Sequence, residues 1–552
     1  MTMARRILAA AALLVWTMAW TPAHAQVTYE RLLGAAKEAH NWLTYSGGYS
    51  SNRHSPLDQI TPANVKNLEQ KWVLQANVVG TWQTTPLVVD GVMYVTQRLN
   101  DVVALDAQSG RPYWMYRHNP PADQRACCGS NNRGVAVLGD LVYMGTLDAH
   151  LVAIDAKTGK KRWEVEVGDY NVSYSITLAP LAVKDKIIVG VGGAELGIRG
   201  FIAAYDAKTG AQAWKTYLIP GPGEPGHETW KGDAWKSGGA SVWITGSYDP
   251  ALNLTYWGTG NPGPDWNPAQ RPGDNLYSDS VVALDPDTGK MKWHFQFTPN
   301  DPYDYDAVQI PVLADITMNG SPTRALLWAN RNGFFYVLDR ETGKFLLGKP
   351  FVKVNWASGL DANGRPIETP PAPGAPVYPG VQGGTNWYSP SYSPRTRLLY
   401  VPIWENNGAI IRRQEVEYVA GKPFTGGGWS TATPVPNAPG TPALRRGPFN
   451  SWTEATGTGA VLAIDPQTGE HKWKFPMTDV TDSGVLTTGS DLVFTGGREG
   501  YFQALDARTG TLLWRTNLGG QIVSGPMSYQ VNGKQYVSVV AGLSLVTFAL
   551  RD

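Results

Sequence analysis

Short apolar runs that end in the same polar turn recur along the chain. Seven copies share an apolar, β-prone run, an aspartate, a Thr-Gly or Ser-Gly pair and a second strand-like run, which carries tryptophan in six of them. Two such runs joined by a Gly-containing turn predict a β-hairpin. The repeated aspartates are Asp106, Asp155, Asp206, Asp285, Asp339, Asp465 and Asp506.

The spacing of the repeat predicts a β-propeller. Five of the six intervals between aspartates span 41 to 79 residues, close to the length of a four-stranded blade with variable loops. The 126-residue interval from Asp339 to Asp465 contains Pro/Gly-rich stretches near 355–385 and 405–450, so we interpret it as one blade with insertions. Two separate all-β domains are the alternative, but no polar linker interrupts the repeat.

The two ends of the chain complete the predicted ring. The N-terminal run LEQKWVL supplies one strand without a blade, and the C-terminal residues supply three strands without a fourth. Pairing them closes an eight-bladed ring and removes exposed sheet edges. We therefore predict an all-β fold, with one eight-bladed propeller domain over residues 26–552.

Composition and the first residues indicate the class of protein. With 42% hydrophobic and 17% charged residues and a formal charge of +1, the chain can bury a large core and offers no general attraction to nucleic acid. Residues 1–25 combine a basic start, a short apolar stretch and an Ala-His-Ala ending, the pattern of a secretory signal peptide. No later run is long and apolar enough to span a membrane. We expect a bacterial periplasmic protein.

The two cysteines, Cys127 and Cys128, are adjacent. Consecutive Cα atoms lie about 3.8 Å apart, below the usual disulfide range of roughly 4.4–6.8 Å. The alternative to a disulfide is a pair of buried thiols that pack as small hydrophobic groups. Because adjacent thiols in an exported protein are expected to oxidise, we favour a functional disulfide.

A set of motifs in a fixed order carries a family resemblance. The adjacent cysteines are followed by Asn-Asn-Arg-Gly, and then come GGAELGIRG, GDAWKSGGASVW, GTGNPGP, DPYDYD, NRNGFFYVLDR and TNWYSPSYSP. With the repeated hairpins, this set resembles the pyrroloquinoline quinone (PQQ) dependent alcohol dehydrogenases of the methanol/ethanol type. The resemblance covers nearly the whole mature chain.

The resemblance implies that PQQ lies on the propeller axis between the Cys127–Cys128 ring and Trp243. An aromatic ring suits this role because it stacks on a flat cofactor. The alternative for Trp243 is a blade-core tryptophan, but it lies outside the repeated hairpin. Arg331 is implied near the reactive C5 oxygen of PQQ. The residues implied to hold its carboxylates and carbonyls are Arg133, Thr177, Gly193, Ala194, Ser241 and Asn386.

The resemblance also implies a metal ion, with Glu195 and Asn261 as ligands and Asp304 as the adjacent catalytic carboxylate. Asp306 follows two residues later, and such residues point the same way in an extended segment, so we expect both Asp304 and Asp306 to be ligands of the same ion. The Asp-x-Asp pair resembles lanthanide-dependent members of the family. The alternative is a solvated acidic turn that includes Asp301.

Charge favours a trivalent ion at this site. Three side-chain carboxylates and one PQQ carboxylate give four negative charges, and like charges that are not offset force a proton onto one of them. We therefore expect a lanthanide ion such as La³⁺ or Ce³⁺, with Ca²⁺ as the alternative.

The implied reaction is the oxidation of an alcohol to an aldehyde or ketone. The cation would polarise the C5 carbonyl, Asp304 would take the hydroxyl proton, and a hydride would pass to C5. Because the sequence contains no CxxCH haem motif, a separate soluble cytochrome c is the expected electron acceptor. The alternative function is a non-catalytic periplasmic scaffold. The sequence does not determine which alcohol is the substrate, nor whether the protein forms a homodimer.

Two positions depart from the family pattern. Gln83 stands where relatives commonly have glutamate, and Asp482 stands where a tryptophan often lies. The first change removes a carboxylate near the cofactor, and we expect the second to alter one wall of its pocket.

Overall fold

The computed structural model describes residues 27–76, 80, 82–432 and 457–551. The predicted signal peptide, residues 1–25, lies outside the described residues, as do residues 433–450 of the second predicted insertion. Among the described helices, none has the length and apolar character needed to cross a bilayer.

Eight sheets, each with four antiparallel strands, form the blades, and one of them carries a fifth, parallel strand, His54–Ser55; this confirms the predicted eight-bladed propeller. We number the blades along the chain. In order across each sheet, the strands of blades 1 to 4 are Leu87–Val89, Val92–Gln97, Asp101–Asp106 and Pro112–Arg117; Ala136–Leu138, Leu141–Gly145, His150–Asp155 and Lys161–Glu166; Leu181–Val183, Lys186–Gly190, Phe201–Asp206 and Gln212–Tyr217; Ser247–Asp249, Leu254–Gly258, Ser280–Leu284 and Met291–Gln296.

Blades 5 to 8 repeat the arrangement. Their strands are Val312–Met318, Ser321–Ala329, Phe334–Asp339 and Phe345–Pro350; Ser391–Ser393, Leu398–Glu405, Thr458–Ile464 and His471–Pro476; Leu486–Thr488, Leu492–Gly496, Tyr501–Asp506 and Leu512–Asn517; Met527–Val531, Lys534–Ala541, Ser544–Leu550 and Leu68–Gln75. The N-terminal strand Leu68–Gln75 pairs antiparallel with Ser544–Leu550, so the two ends close the ring as predicted.

The remaining elements lie in the N-terminal segment and in the connections within and between blades. The predicted insertions form two small hairpins, Ala357–Leu360 with Pro366–Glu368 and Ala409–Arg413 with Gly427–Thr431. The described helices are the α-helix Tyr29–Leu33 and the 3₁₀ turns Ala35–Lys37, Val65–Asn67, Arg98–Asn100, Tyr170–Val172, Ala194–Leu196, His227–Thr229, Ala234–Ser237 and Pro268–Gln270.

The repeated hairpin joins neighbouring blades. Trp114 of blade 1 packs on Gly159 of the blade 2 turn, where a Cβ would lie 2.7 Å from the indole. Gly159 has φ 71°, a conformation that glycine adopts without steric cost. The Trp114 indole N–H donates to the carbonyl of Ala156 at 3.1 Å. The repeat therefore builds the ring rather than the site.

The same docking recurs around the ring. It joins Trp72 with Gly110, Trp163 with Gly210, Trp214 with Gly289, Trp293 with Gly343 and Trp473 with Gly510. Two contacts differ. The copy in blade 5 lacks tryptophan, so Gly469 of blade 6 lies against the Lys349 side chain, and blade 8 has no Asp-x-x-Thr-Gly turn to receive Trp514 of blade 7.

The segment from Trp42 to Ser55 fills the centre of the ring. Its backbone hydrogen-bonds to the first strands of blades 1, 4, 5 and 6, and His54–Ser55 pairs in parallel with the first strand of blade 7. Tyr45 of this segment belongs to the same apolar cluster as Trp243 and Trp387. The segment thus supports the tryptophans of the cavity described below.

The predicted site residues all lie at one end of the propeller. They occupy the connections between successive blades and the connections between second and third strands. The repeated Asp-x-x-Thr-Gly turns join third and fourth strands, and these turns lie at the other end of each antiparallel sheet. Loops positioned on such a rigid scaffold are where binding and catalytic residues concentrate.

Candidate active-site cavity

A cavity of about 230 Å³ lies among these connections. Of the predicted site residues, those that line it are Cys127, Cys128, Arg133, Thr177, Gly193, Glu195, Ser241, Trp243, Asp304, Asp306, Arg331 and Asn386. Ala194 and Asn261 are buried outside this lining. Asn261 remains connected to it, because its backbone N–H donates to Asp306 Oδ1 at 2.6 Å.

Five lining residues escaped the sequence analysis: Asn131, Ser175, Gly192, Gln382 and Trp387. Ser175 and Gly192 stand beside predicted residues, and alternation along the chain points from Thr177 back to Ser175. Trp387 directly follows the predicted Asn386 and, like Trp243, lies outside the repeated hairpin, which is the sequence signal available for it.

Arg133 lies between two indole rings. Its Cζ atom is 4.9 Å from the Trp243 ring centroid and 4.8 Å from the Trp387 centroid. Its Nη1 also donates to Thr177 Oγ1 at 3.0 Å. This fixed guanidinium suits a carboxylate, which it can bind through two parallel hydrogen bonds.

The predicted disulfide between Cys127 and Cys128 is present. Cys128 has φ 63°, and its carbonyl accepts a hydrogen bond from Asn131 Nδ2 at 2.9 Å. Cys128 is exposed at the mouth of the cavity. The sulfur atoms and a carboxylate oxygen of Glu195 lie within 4.8 Å of one another.

Glu195 is held in a tight loop. A Cβ on Gly193, which has φ 125°, would lie 2.3 Å from the Ser173 carbonyl oxygen, so only glycine permits this close approach. Burial raises the pKa of Glu195 to about 7, and the nearby Asp306 carboxylate acts in the same direction. The positive charge near Glu195 is therefore too small to keep the pKa of this carboxyl at its ordinary value.

Asp304 and Asp306 both reach Arg331. Arg331 Nη1 donates to Asp306 Oδ2 at 2.7 Å, and Nη2 donates to Asp304 Oδ2 at 3.1 Å. Burial raises the pKa of Asp304 well above its usual range, although the Arg331 guanidinium opposes this shift. One guanidinium thus offsets only part of the negative charge.

The acidic loop is not a solvated turn. Asp301 is fully buried, and its carboxylate accepts the backbone N–H of Tyr303 at 2.8 Å and that of Tyr305. Asp306 is also buried. Asp301 shapes the loop, whereas Asp304 and Asp306 face the cavity.

The lining fits a hard cation and an anionic cofactor. Carboxylate and amide oxygens are the donors that hard cations prefer, and Glu195, Asp304 and Asp306 outnumber Arg331 by two charges. Their oxygens do not all lie within 4.8 Å of one another, since Arg331 holds both aspartates. The Nε atoms of Arg133 and Arg331 are buried without a hydrogen-bond partner among the described residues.

Gln83 and Asp482, the two departures from the family pattern, differ in their position relative to the cavity. Gln83 lines the cavity, and its Oε1 is buried without a hydrogen-bond partner in the described part of the chain. Asp482 does not line it. Its carboxylate instead accepts hydrogen bonds from Arg498 Nε at 2.7 Å and Gln521 Nε2 at 3.0 Å. Asp482 therefore contributes no side chain to the cavity wall.

Comparison with known proteins shows which protein family this chain matches. The family described as "Glucose/ethanol/alcohol dehydrogenase, beta-propeller domain", of the PQQ type, matches residues 42–355 and 353–537. The chain is 41% identical to the quinoprotein alcohol dehydrogenase PedH of Pseudomonas putida, with 94% of this chain and 89% of the relative covered. It is 39% identical to the 1-butanol dehydrogenase (cytochrome c) of Thauera butanivorans, over 91% and 74% of the two chains.

A solved structure matches along its whole length. The europium-containing methanol dehydrogenase superposes with a TM-score of 0.86 at 33% identity, and the match covers 94% of this chain and 100% of that one.

Proposed function

The chain belongs to the family of PQQ-dependent alcohol dehydrogenases, and from this premise we propose that its cavity oxidises an alcohol to an aldehyde or ketone with a lanthanide ion at the acidic loop. The observation that carries the proposal is the convergence of the disulfide, Trp243 and the Glu195–Asp304–Asp306 carboxylates on one cavity. A non-catalytic scaffold has no need for this combination.

The chain's own residues provide two flat walls and a set of cofactor contacts. The Cys127–Cys128 disulfide and the Trp243 indole would enclose PQQ, which when bound supplies the acceptor for the two electrons of the alcohol. Arg133 would bind a cofactor carboxylate, and Thr177, Gly193, Ser241 and Asn386 offer further polar contacts. Ala194, which is buried outside the lining, contributes to the turn that carries Glu195.

Asp304 is the residue we assign as the catalytic base. It faces the cavity and is held by Arg331 at 3.1 Å, so its carboxylate is oriented toward the substrate side. A base must be ionised to accept the hydroxyl proton, yet burial raises the pKa of Asp304. A cation held by Glu195, Asn261 and Asp306 would lower that pKa and keep Asp304 ionised.

The extra carboxylate of Asp306 supports a trivalent ion. With Glu195 and Asp304 it brings three negative charges to the cavity, and Arg331 offsets one of them. A PQQ carboxylate at the metal would restore the total to three, which a trivalent ion balances and Ca²⁺ does not. The europium-containing methanol dehydrogenase, a structural match to this chain, is in line with this choice. The experiment must therefore distinguish activity with a lanthanide ion from activity with Ca²⁺.

Localisation and the electron acceptor are parts of the same proposal. The sequence pattern of residues 1–25 supports export to the periplasm, which leaves one propeller domain over 26–552. The Thauera relative is named as using cytochrome c, and this chain has no haem attachment motif, so we propose a separate soluble cytochrome c as acceptor.

The test is reconstitution of the purified, cofactor-free protein. PQQ with La³⁺ should give alcohol-dependent reduction of an artificial electron acceptor, across a panel of primary and secondary alcohols, and PQQ with Ca²⁺ should give much less. Absence of turnover with either ion, in protein shown to bind PQQ, would contradict the assigned activity. Equal turnover with both ions would contradict only the choice of metal.

A further inference from the structure

Three potential metal-binding atoms meet at the mouth of the cavity. The Sγ atoms of Cys127 and Cys128 and one carboxylate oxygen of Glu195 lie within 4.8 Å of one another. In the disulfide the two sulfur atoms are not thiolates, and the thiolate is the form of cysteine that binds metals. Since Cys128 is exposed, a reductant can reach the bond from solvent.

We propose that reduction of the Cys127–Cys128 disulfide creates a binding site for a thiophilic divalent cation such as Zn²⁺ or Cd²⁺, with Cys127, Cys128 and Glu195 as ligands. A dithiol reductant supplies two electrons and two protons: the S–S bond breaks, two thiols form, and the reductant becomes a disulfide. Binding of the cation then releases the two thiol protons to solvent.

The dimensions of the cluster suit a single ion. Zinc binds sulfur at about 2.3 Å and carboxylate oxygen at about 2.0–2.2 Å, so two ligands of one ion cannot lie farther apart than about 4.6 Å. The three atoms lie within 4.8 Å of one another, close to this limit, and breaking the S–S bond lets both cysteine side chains rotate to meet it. Water in the cavity can provide a fourth ligand.

The ligand chemistry separates this ion from the one proposed for the acidic loop. Thiolates select soft and borderline ions, whereas a lanthanide or Ca²⁺ prefers an all-oxygen set. Glu195 cannot serve both ions at once. The bound soft ion would therefore occupy one wall of the cavity and withdraw a ligand from the hard cation. The result would be a reversible inactive state of the enzyme. This consequence rests on the proposed function, but the binding itself does not.

Cadmium titration of the full-length, cofactor-free protein tests the site directly. The protein is reduced, freed of reductant without oxygen, and titrated with Cd²⁺ while the ultraviolet sulfur-to-cadmium charge-transfer absorption is recorded. We expect one Cd²⁺ per reduced chain and no such absorption from the oxidised chain. A large excess of Zn²⁺ should compete with Cd²⁺ for the site, and the same excess of Ca²⁺ should not.

Variants assign the ligands. Cys127→Ser and, independently, Cys128→Ser should lose most of the charge-transfer absorption. Glu195→Gln should keep the absorption but bind Cd²⁺ at least about tenfold more weakly, because a carboxylate ligand is lost. Glu224→Gln, at an exposed carboxylate, is the matched control and should bind like the native protein.

Two results would overturn the proposal. One is a reduced chain, verified by thiol counting and a native circular dichroism spectrum, that shows no cadmium–sulfur absorption. The other is a Glu195→Gln variant with unchanged cadmium affinity, which would remove Glu195 from the ligand set. Neither assay contains PQQ or an alcohol, so failure here leaves the proposed oxidation of alcohols untouched.

Discussion

The backbone N–H of Phe424 donates a 2.7 Å hydrogen bond to the carbonyl oxygen of Glu195. Phe424 belongs to the insertion of blade 6, and its buried ring lies against Gly197, where a Cβ would be 3.1 Å from the ring. One residue later, the Thr425 carbonyl accepts the N–H of Trp266 at 2.9 Å, in the loop that begins at Asn261. The insertion thus holds together the two loops that carry Glu195 and Asn261.

Phe424→Ala should weaken metal binding more than it weakens the fold. Loss of the ring removes apolar packing against the Glu195 loop, so this loop would hold its carboxylate less firmly. We expect the dissociation constant of a luminescent lanthanide, Tb³⁺, to rise about tenfold in the cofactor-free protein, which corresponds to about 1.4 kcal/mol. Thermal unfolding measured in parallel shows how much of the change is global.

The controls for this variant come from the same insertion. Trp429→Ala removes a half-exposed aromatic side chain from the strand Gly427–Thr431 and should leave Tb³⁺ affinity unchanged. Phe424→Leu should restore most of the affinity, because leucine refills the space. Equal affinities in the Phe424→Ala and Trp429→Ala proteins would show that the insertion does not position Glu195.

Asp304→Asn should abolish turnover while leaving the loop intact. Asparagine has the shape of aspartate and tolerates the left-handed backbone of this position, which has φ 62°, but it cannot accept a proton. Loss of a general base lowers kcat by about 10²- to 10⁴-fold. Asp233→Asn, at an exposed carboxylate, is the matched control. Turnover within a few-fold of native in Asp304→Asn, with PQQ and metal bound, would assign the base elsewhere.

Asp306→Ala should reverse or erase the preference for a lanthanide. The variant loses one of three carboxylate charges in the cavity, so the advantage of a trivalent ion over Ca²⁺ shrinks. We expect La³⁺-supported activity to fall at least about tenfold, with the ratio of La³⁺- to Ca²⁺-supported activity falling further. Initial rates across metal titrations measure both quantities.

Asp306→Asn separates charge from loop geometry. Its side-chain oxygen can still accept the N–H of Asn261, which Asp306 Oδ1 accepts at 2.6 Å, while the negative charge is gone. It should therefore lose the lanthanide preference as Asp306→Ala does. Full La³⁺-supported activity in both variants would remove Asp306 from the metal site.

The sequence predicted the ring more completely than the site, for a physical reason. Six of the eight contacts between neighbouring blades pair a tryptophan with the glycine of the repeated turn, as with Trp114 and Gly159, so a short-range sequence repeat specifies most of the ring. Family motifs then placed Glu195 and Asp304 on the cavity. Trp387 escaped although it follows Asn386 and lies outside the repeated hairpin, because neither feature shows whether an indole faces the cavity or the core.

Contacts between distant segments were also invisible to the sequence. No sequence motif links Phe424 to Glu195, because a hydrogen bond between two backbone groups does not require particular side chains. The burial of Asp482 beside Arg498 likewise depends on two loops of blade 7 that meet only in the folded protein.

His54 should make the stability of the protein depend on pH. It lies in the segment that fills the ring centre, where its Nδ1 is 2.8 Å from Thr487 Oγ1. Burial lowers its pKa from 6.5 to about 4, with Arg395 acting in the same direction. Because the folded state disfavours the charged ring, the stabilising contribution is complete above pH 6.5 and is lost as the pH falls from 6.5 through about 4.

At pH 5 this loss amounts to about 2 kcal/mol of the free energy of unfolding. His54→Gln keeps a hydrogen-bonding side chain but cannot titrate, so its urea unfolding curves at pH 7.5 and pH 5 should differ by less than those of the native protein. Buried carboxylates with raised pKa values make stability depend on pH in the opposite direction. The quantity to compare is therefore the change in the free energy of unfolding between pH 7.5 and pH 5, in the variant and in the native protein. An equal change in the native and His54→Gln proteins would show that His54 does not cause the dependence of stability on pH.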